Sequence, residues 1–154
     1  MTLQLAELFR RDLGRLIQEL RAFPDDAALW RVVPGVTNSA GNLTLHLEGN
    51  LREYIGRLLG GIAYTRDRPN EFGAKGLTSA ELIARVEAVA AMVPGVVASL
   101  TPEVLDGPYP DVPGALQPTK QFLLSLYGHF NYHLGQIGYL RRTLTGGKPR
   151  ESYE

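Results

Sequence analysis

Three histidines are the only imidazoles in the 154-residue chain, and their spacing suits a metal site. His129 and His133 are four residues apart, so on a helix they project from one face and reach toward one cation. His46 stands among Leu43, Leu45, Leu47 and Leu51. A polar ring in such a stretch needs a partner, because burying it unpaired is costly. If the helices carrying His46 and the His129/His133 pair are neighbours, three imidazole nitrogens converge. Three nitrogens plus water is the open arrangement of a catalytic zinc-type site. The plainer alternatives are a satisfied interior His46 and an incidental HxxxH pair. One site that uses every histidine in the chain is the more economical reading.

Polar residues follow the same stripes. Asn42 and Asn50 lie one turn either side of His46, Glu53 two turns on, and Gln136 three residues after His133. Such residues can hold an imidazole by its other nitrogen. Alternatively, Asn42 helps cap a helix and Glu53 is solvated. Ser125, one turn before His129, suggests a serine hydrolase, but no nucleophile-elbow glycine pattern surrounds it. Phe130 follows His129 where a zincin protease carries its glutamate. Positions 43, 126 and 130 are Leu, Leu and Phe, so the Glu-x-x-His pairs of di-iron bundles are absent. A mononuclear site with nitrogen ligands remains.

Four helical stretches must position these groups. The first, about 2–22, repeats Leu5, Leu8, Phe9, Leu13, Leu16, Ile17 and Leu20 at three- and four-residue steps, with Thr2 as a candidate cap and Pro24 beyond its end. The second, about 39–59, is capped by Asn38 or Ser39 and ended by Gly60-Gly61. The third, about 79–100, opens on the capping box Thr78-Ser79-Ala80-Glu81. Pro94-Gly95 should kink it or end it early. The fourth, about 119–144, follows Pro118 and stops at Gly146-Gly147. No strand alternation stands out. The connections 23–38, 60–78 and 101–118 are long for simple helix hairpins. They allow crossovers and supply material for a site.

Sixteen basic residues balance sixteen acidic ones, which argues against a nucleic-acid surface. With no cysteine, disulfides, zinc ribbons, Fe–S clusters and a cysteine nucleophile are excluded. The longest near-apolar run, 88–100, is broken by Pro94 and Gly95, and no secretory signal is evident, so a soluble, cytoplasmic protein is expected. One domain is expected over 1–147, with 148–154 as a peripheral tail.

The stretch Gly128-His129-Phe130-Asn131-Tyr132-His133-Leu134-Gly135-Gln136-Ile137-Gly138-Tyr139-Leu140-Arg141-Arg142 resembles the last helix of the DinB-like superfamily, a group of metal-binding helical bundles. The stretch from Asn38 to Leu51, containing His46, resembles its second helix. The resemblance implies an all-α four-helix bundle with up-down-down-up topology and long crossovers. It implies a divalent metal, zinc or nickel, on His46, His129 and His133, and often a homodimer. Characterised relatives include transferases and isomerases dependent on bacillithiol or mycothiol. The expected function is therefore a thiol-dependent S-transferase acting on small electrophiles. The alternatives are a metal- or ligand-binding stress protein without turnover, and a metal-hydroxide hydrolase. Arg52, Arg57, Arg141 and Arg142 are candidates to hold an acceptor carboxylate. The apolar residues Val93, Val96, Val97 and Leu100 suggest a dimer surface.

Overall fold

The computed structural model describes residues 1–110 and 117–147; the expected peripheral tail, 148–154, lies outside the described residues. Helix α1 (Thr2–Arg21) buries Leu5, Phe9, Leu13, Leu16 and Leu20, the three- and four-residue repeat of an amphipathic helix. Thr2 is its first helical residue rather than its cap, and no side chain closes that end. Helix α3 (Ala40–Leu51) starts where the Ser39 hydroxyl accepts the Asn42 N–H. It continues into wider π-type turns over Arg52–Arg57, with Leu58 N–H bonded to the Glu53 carbonyl and Gly60 N–H to that of Ile55. Gly61, at φ +65°, turns the chain away. Helix α5 (Ser79–Ser99) begins at the complete Thr78/Glu81 capping box. Helix α7 (Thr119–Thr145) ends on left-handed Gly146, whose N–H reaches the Arg142 carbonyl.

Three short helices interrupt the connections: α2 (Asp26–Trp30), α4 (Arg68–Gly73) and α6 (Pro102–Asp106). Each is capped by a side chain, from Asp25, Asp67 and Thr101 respectively. At five or six residues they are too short for apolar periodicity to show. In α4 and α6 the local signal is a capping residue followed by proline, Asp67-Arg68-Pro69 and Thr101-Pro102, whereas α2 has only its Asp25 cap. Among the described residues no strand forms, only an isolated bridge between Pro108 and Pro118. The fold is all-α.

Helix α5 does not end early. It runs through Pro94 to Ser99, and Val93 and Val97 on either side are fully buried. Tertiary packing of that face holds the helix despite the donor lost at proline. The apolar excess at its end is therefore not an exposed patch: Val96 and Leu100 pack partly against the same core. By length and composition α5 is apolar enough to cross a membrane, although Pro94-Gly95 argues otherwise in the sequence. Here its Leu82, Val86, Val89, Val93 and Val97 face lies in the protein core.

Helices α1 and α3 each pack against both α5 and α7, and α2 and α4 lie on α3. Every residue of α3 is consequently buried, including Asn42, Thr44, His46, Glu48 and Asn50. A one-sided leucine stripe does not anticipate this, because the second cover comes from the connections. Two glycines admit it. A Cβ on Gly41 would sit 2.8 Å from the Trp30 ring, and one on Gly49 would sit 2.1 Å from a Glu71 carboxylate oxygen. Buried charges are paired across the long helices. Asp12 on α1 meets Arg11, Arg15 and the Tyr127 hydroxyl of α7, and Glu19 pairs with Arg141. Burial pushes the Asp12 carboxyl up, but Arg11 and Tyr127 outweigh it and hold it below the usual range. Glu48 of α3 accepts from Arg52 and from Arg85 of α5.

Candidate metal centre

Helical geometry alone sets His129 and His133 side by side on α7, with Nε2 atoms 3.1 Å apart. Packing of α3 against α7 adds His46, whose Nε2 lies 3.3 Å from that of His129. One nitrogen from each ring lies within 4.8 Å of the others, a group able to hold a metal ion. The rings stand nearly edge to face, with centroids 4.5 to 5.2 Å apart.

The outer nitrogens show how the inner ones are aimed. His46 Nδ1 donates to Glu71 Oε2 at 2.9 Å, and His133 Nδ1 donates to Gln136 Oε1 at 2.7 Å. A proton committed outward leaves each Nε2 lone pair facing the shared point. Glu71 is itself held by Arg66, which donates to both carboxylate oxygens at 2.7 and 2.9 Å and packs over the Tyr54 ring. The relay Arg66–Glu71–His46 thus orients one imidazole through a buried ion pair.

Glu71 has no signal in helical periodicity. It lies in α4, within the 60–78 connection, and reaches His46 only because Gly49 leaves room. Two glycines inside the helix, Gly41 and Gly49, are the available clue, since glycine weakens a helix interior and often marks a close approach. Asn42 touches no imidazole. Its amide donates to the carbonyls of Glu71 and Ala74 at 3.1 and 2.9 Å, while Ser39 Oγ donates to its Oδ1, so it fastens α4 onto α3. Asn50 faces the inner side instead, with Nδ2 3.0 Å from His46 Nε2 and 3.5 Å from His129 Nδ1. Glu53 stands apart from the histidines and pairs with Arg57 one turn on. Ser125 is exposed on α7. All four arginines considered for an acceptor carboxylate are engaged within the chain. Arg52 pairs with Glu48, Arg57 with Glu53 and Arg141 with buried Glu19, while Arg142 lies 4.5 Å over the Tyr139 ring.

Burial pushes His129 down to about 4, reinforced by the neighbouring His133 and His46. Burial also lowers His46, with Glu71 opposing it only in part. Both rings are therefore neutral at neutral pH, the state a metal ligand requires. In metal-free protein the folded and unfolded chains take up the His129 proton at different pH. Unfolded histidine takes up its proton near 6.5, whereas folded His129 resists until about 4. The unfolded chain binds more protons in that window, so stability is full above about 6.5 and falls as pH drops toward about 4. Thermal melts of chelator-treated protein should show this decline, and His129→Gln should flatten it; an equally steep decline in the variant would assign it elsewhere.

The donor set fits a divalent ion with borderline or nitrogen preference: three imidazoles, no thiolate, and polar side chains behind two of them. The sequence profile of the DinB superfamily matches residues 8–137, a span that holds all three histidines, Asn50, Glu71 and Gln136. No curated protein matches the chain.

Proposed function

The chain belongs to the DinB superfamily, and on that premise we propose that it is a mononuclear metal-dependent enzyme joining a low-molecular-weight thiol to a small electrophile. The observation that carries this reading is the convergence of three imidazole nitrogens, two of whose rings are held from behind by Glu71 and Gln136. His46, His129 and His133 are the ligands, and zinc or nickel the expected ion. Bound there, the ion lowers the pKa of a thiol or water and so supplies a nucleophile at neutral pH. The chain has no cysteine, so the sulfur arrives on a cosubstrate. Asn50 lies beside the inner nitrogens and orients the incoming reactant. Arg68, exposed above Phe72, whose ring packs on His46, meets an anionic group of the thiol. A cytoplasmic location suits such a thiol, which is kept reduced there.

Metal analysis followed by a panel of thiols and electrophiles tests the proposal. Turnover should require both metal and thiol and vanish with a chelator. Full turnover with metal but no thiol would replace thiol transfer by metal-hydroxide hydrolysis, and stoichiometric metal without turnover on any pair would favour a binding protein.

The same reading carries the up-down-down-up order of the long helices. It is supported by the pairs Asp12–Tyr127 and Glu19–Arg141, which run in the same direction along α1 and α7. Glu48–Arg85 and the approach of Gly60 to Val96 do likewise for α3 and α5. It also carries a homodimer. With the valine face of α5 turned into the core, the face that suits a second copy is on α7: Leu124, Gly128, Tyr132 and Gly135 are all exposed on one stripe. No charged residue occurs between Gln121 and Leu140, and none of the described residues crowds either glycine. Light scattering should give twice the chain mass, and Leu124→Glu should give a monomer; a wild-type monomer across a dilution series would remove this part.

A further inference from the structure

A cleft of about 460 Å3 opens between α7 and the segment that leads into α3. Its volume falls in the range of small-molecule sites, roughly 300–1,000 Å3. The walls are apolar, from Val33, Val36, Leu43 and Leu140, with the Tyr139 ring at one side. Thr37, Asn38 and Thr143 add uncharged polar groups. Among the described residues no Asp, Glu, Lys, Arg or His lines it, so an ion entering would find no counter-charge there to offset its desolvation.

The outer wall is built rather than loose. Val33-Pro34-Gly35-Val36 forms a turn closed by Val36 N–H to the Val33 carbonyl, with Gly35 at φ +82°. Proline followed by left-handed glycine is the sequence demand of a type II turn. The preceding α2 is anchored, since the Trp30 ring packs on Gly41 and its Nε1 donates to the Leu77 carbonyl at 2.8 Å. The cleft also adjoins the histidine cluster. Gln136 lines it and at the same time accepts from His133 Nδ1.

We propose that this cleft binds an uncharged, largely apolar organic molecule. Its role as the acceptor site of the enzyme rests on the function proposed above; the binding itself does not. The cleft selects the acceptor by shape and lack of charge, and Gln136 stands between the bound molecule and the ring of His133.

The uncharged naphthalene dye prodan, titrated against the full chain and followed by fluorescence, tests this. Binding should saturate at one molecule per chain, and a naphthalene sulfonate of similar size should bind less tightly. Thr143→Trp and Val36→Trp, both at exposed positions, fill the cleft and should each weaken prodan by about tenfold or more. Circular dichroism and an unchanged cobalt titration verify that fold and histidine cluster are intact. His46→Ala should leave prodan affinity within about twofold. Absence of saturable binding, equal affinity for the sulfonate, or undiminished binding in both folded tryptophan variants overturns the proposal. Loss of prodan in His46→Ala alone would place the dye at the histidines and overturn it as well. Prodan binding that behaves as expected in a chain taking up no cobalt would sustain the cleft and sink the metal enzyme instead.

Discussion

His46→Ala should fold and yet lose its metal. The helices keep the leucine core, which includes Leu43, Leu47 and Leu51 on α3 itself. What disappears is one of three converging nitrogens and the only one that α3 supplies. Removing an outer hydrogen-bond partner of a ligand typically weakens metal binding about 10–100-fold. Removing the ligand should exceed that, so we expect a loss beyond about 100-fold, and a loss inside the 10–100-fold range for Gln136→Ala. Competition against a chromophoric chelator measures both. A saturating ion at about a thousand times its dissociation constant adds roughly 4 kcal/mol of stability. Metal should therefore raise the melting temperature of the wild type and not that of His46→Ala. Stoichiometric, equally tight binding by the variant would end the three-histidine model.

Glu71 should matter more for stability than any residue of the site. It is 5% exposed, accepts twice from Arg66 and once from His46, and ties α4 to α3. Glu71→Ala leaves a guanidinium only 12% exposed without its carboxylate, a defect whose cost approaches the roughly 3–5 kcal/mol of a fully buried pair. The same change frees His46 Nδ1, so the ring loses its fixed tautomer and metal affinity falls about 10–100-fold. Glu71→Gln keeps the shape and one acceptor, and should lie between wild type and alanine in both measurements. Urea unfolding of metal-free protein isolates the stability effect. If Glu71→Ala unfolds at the wild-type midpoint, the ion pair is not holding α4 in place.

The two effects separate what the chain spells locally from what folding assembles. Pairing of His129 with His133 is a property of helical pitch, and four residues of spacing suffice to state it. The caps at Ser39, Thr78 and Gly146 are equally local, since each satisfies backbone groups within a few residues. So is Gln136 behind His133, three residues along the same helix. Asn42 and Glu53 sit on the right stripe for the site but serve elsewhere, because a stripe defines a direction and not a partner. Asn42 finds the carbonyls of α4, and Glu53 finds Arg57.

Sequence by itself therefore determined the long helices, the apolar faces that bring them together, the three imidazoles and one of their supporting side chains. Tertiary structure alone decided that the second cover of α3 is its own connections, with Trp30 on Gly41 and Glu71 against Gly49. It also decided that the valines of α5 face inward and that Arg141 is buried against Glu19. The physical reason is the range of the interactions. Periodicity and capping act over one or two turns, so residue spacing encodes them. The Arg66–Glu71–His46 relay joins a connection to a helix, and its register is set by where the chain returns after Gly61. No repeat in the sequence carries that information; only the packing of α4 onto α3 does.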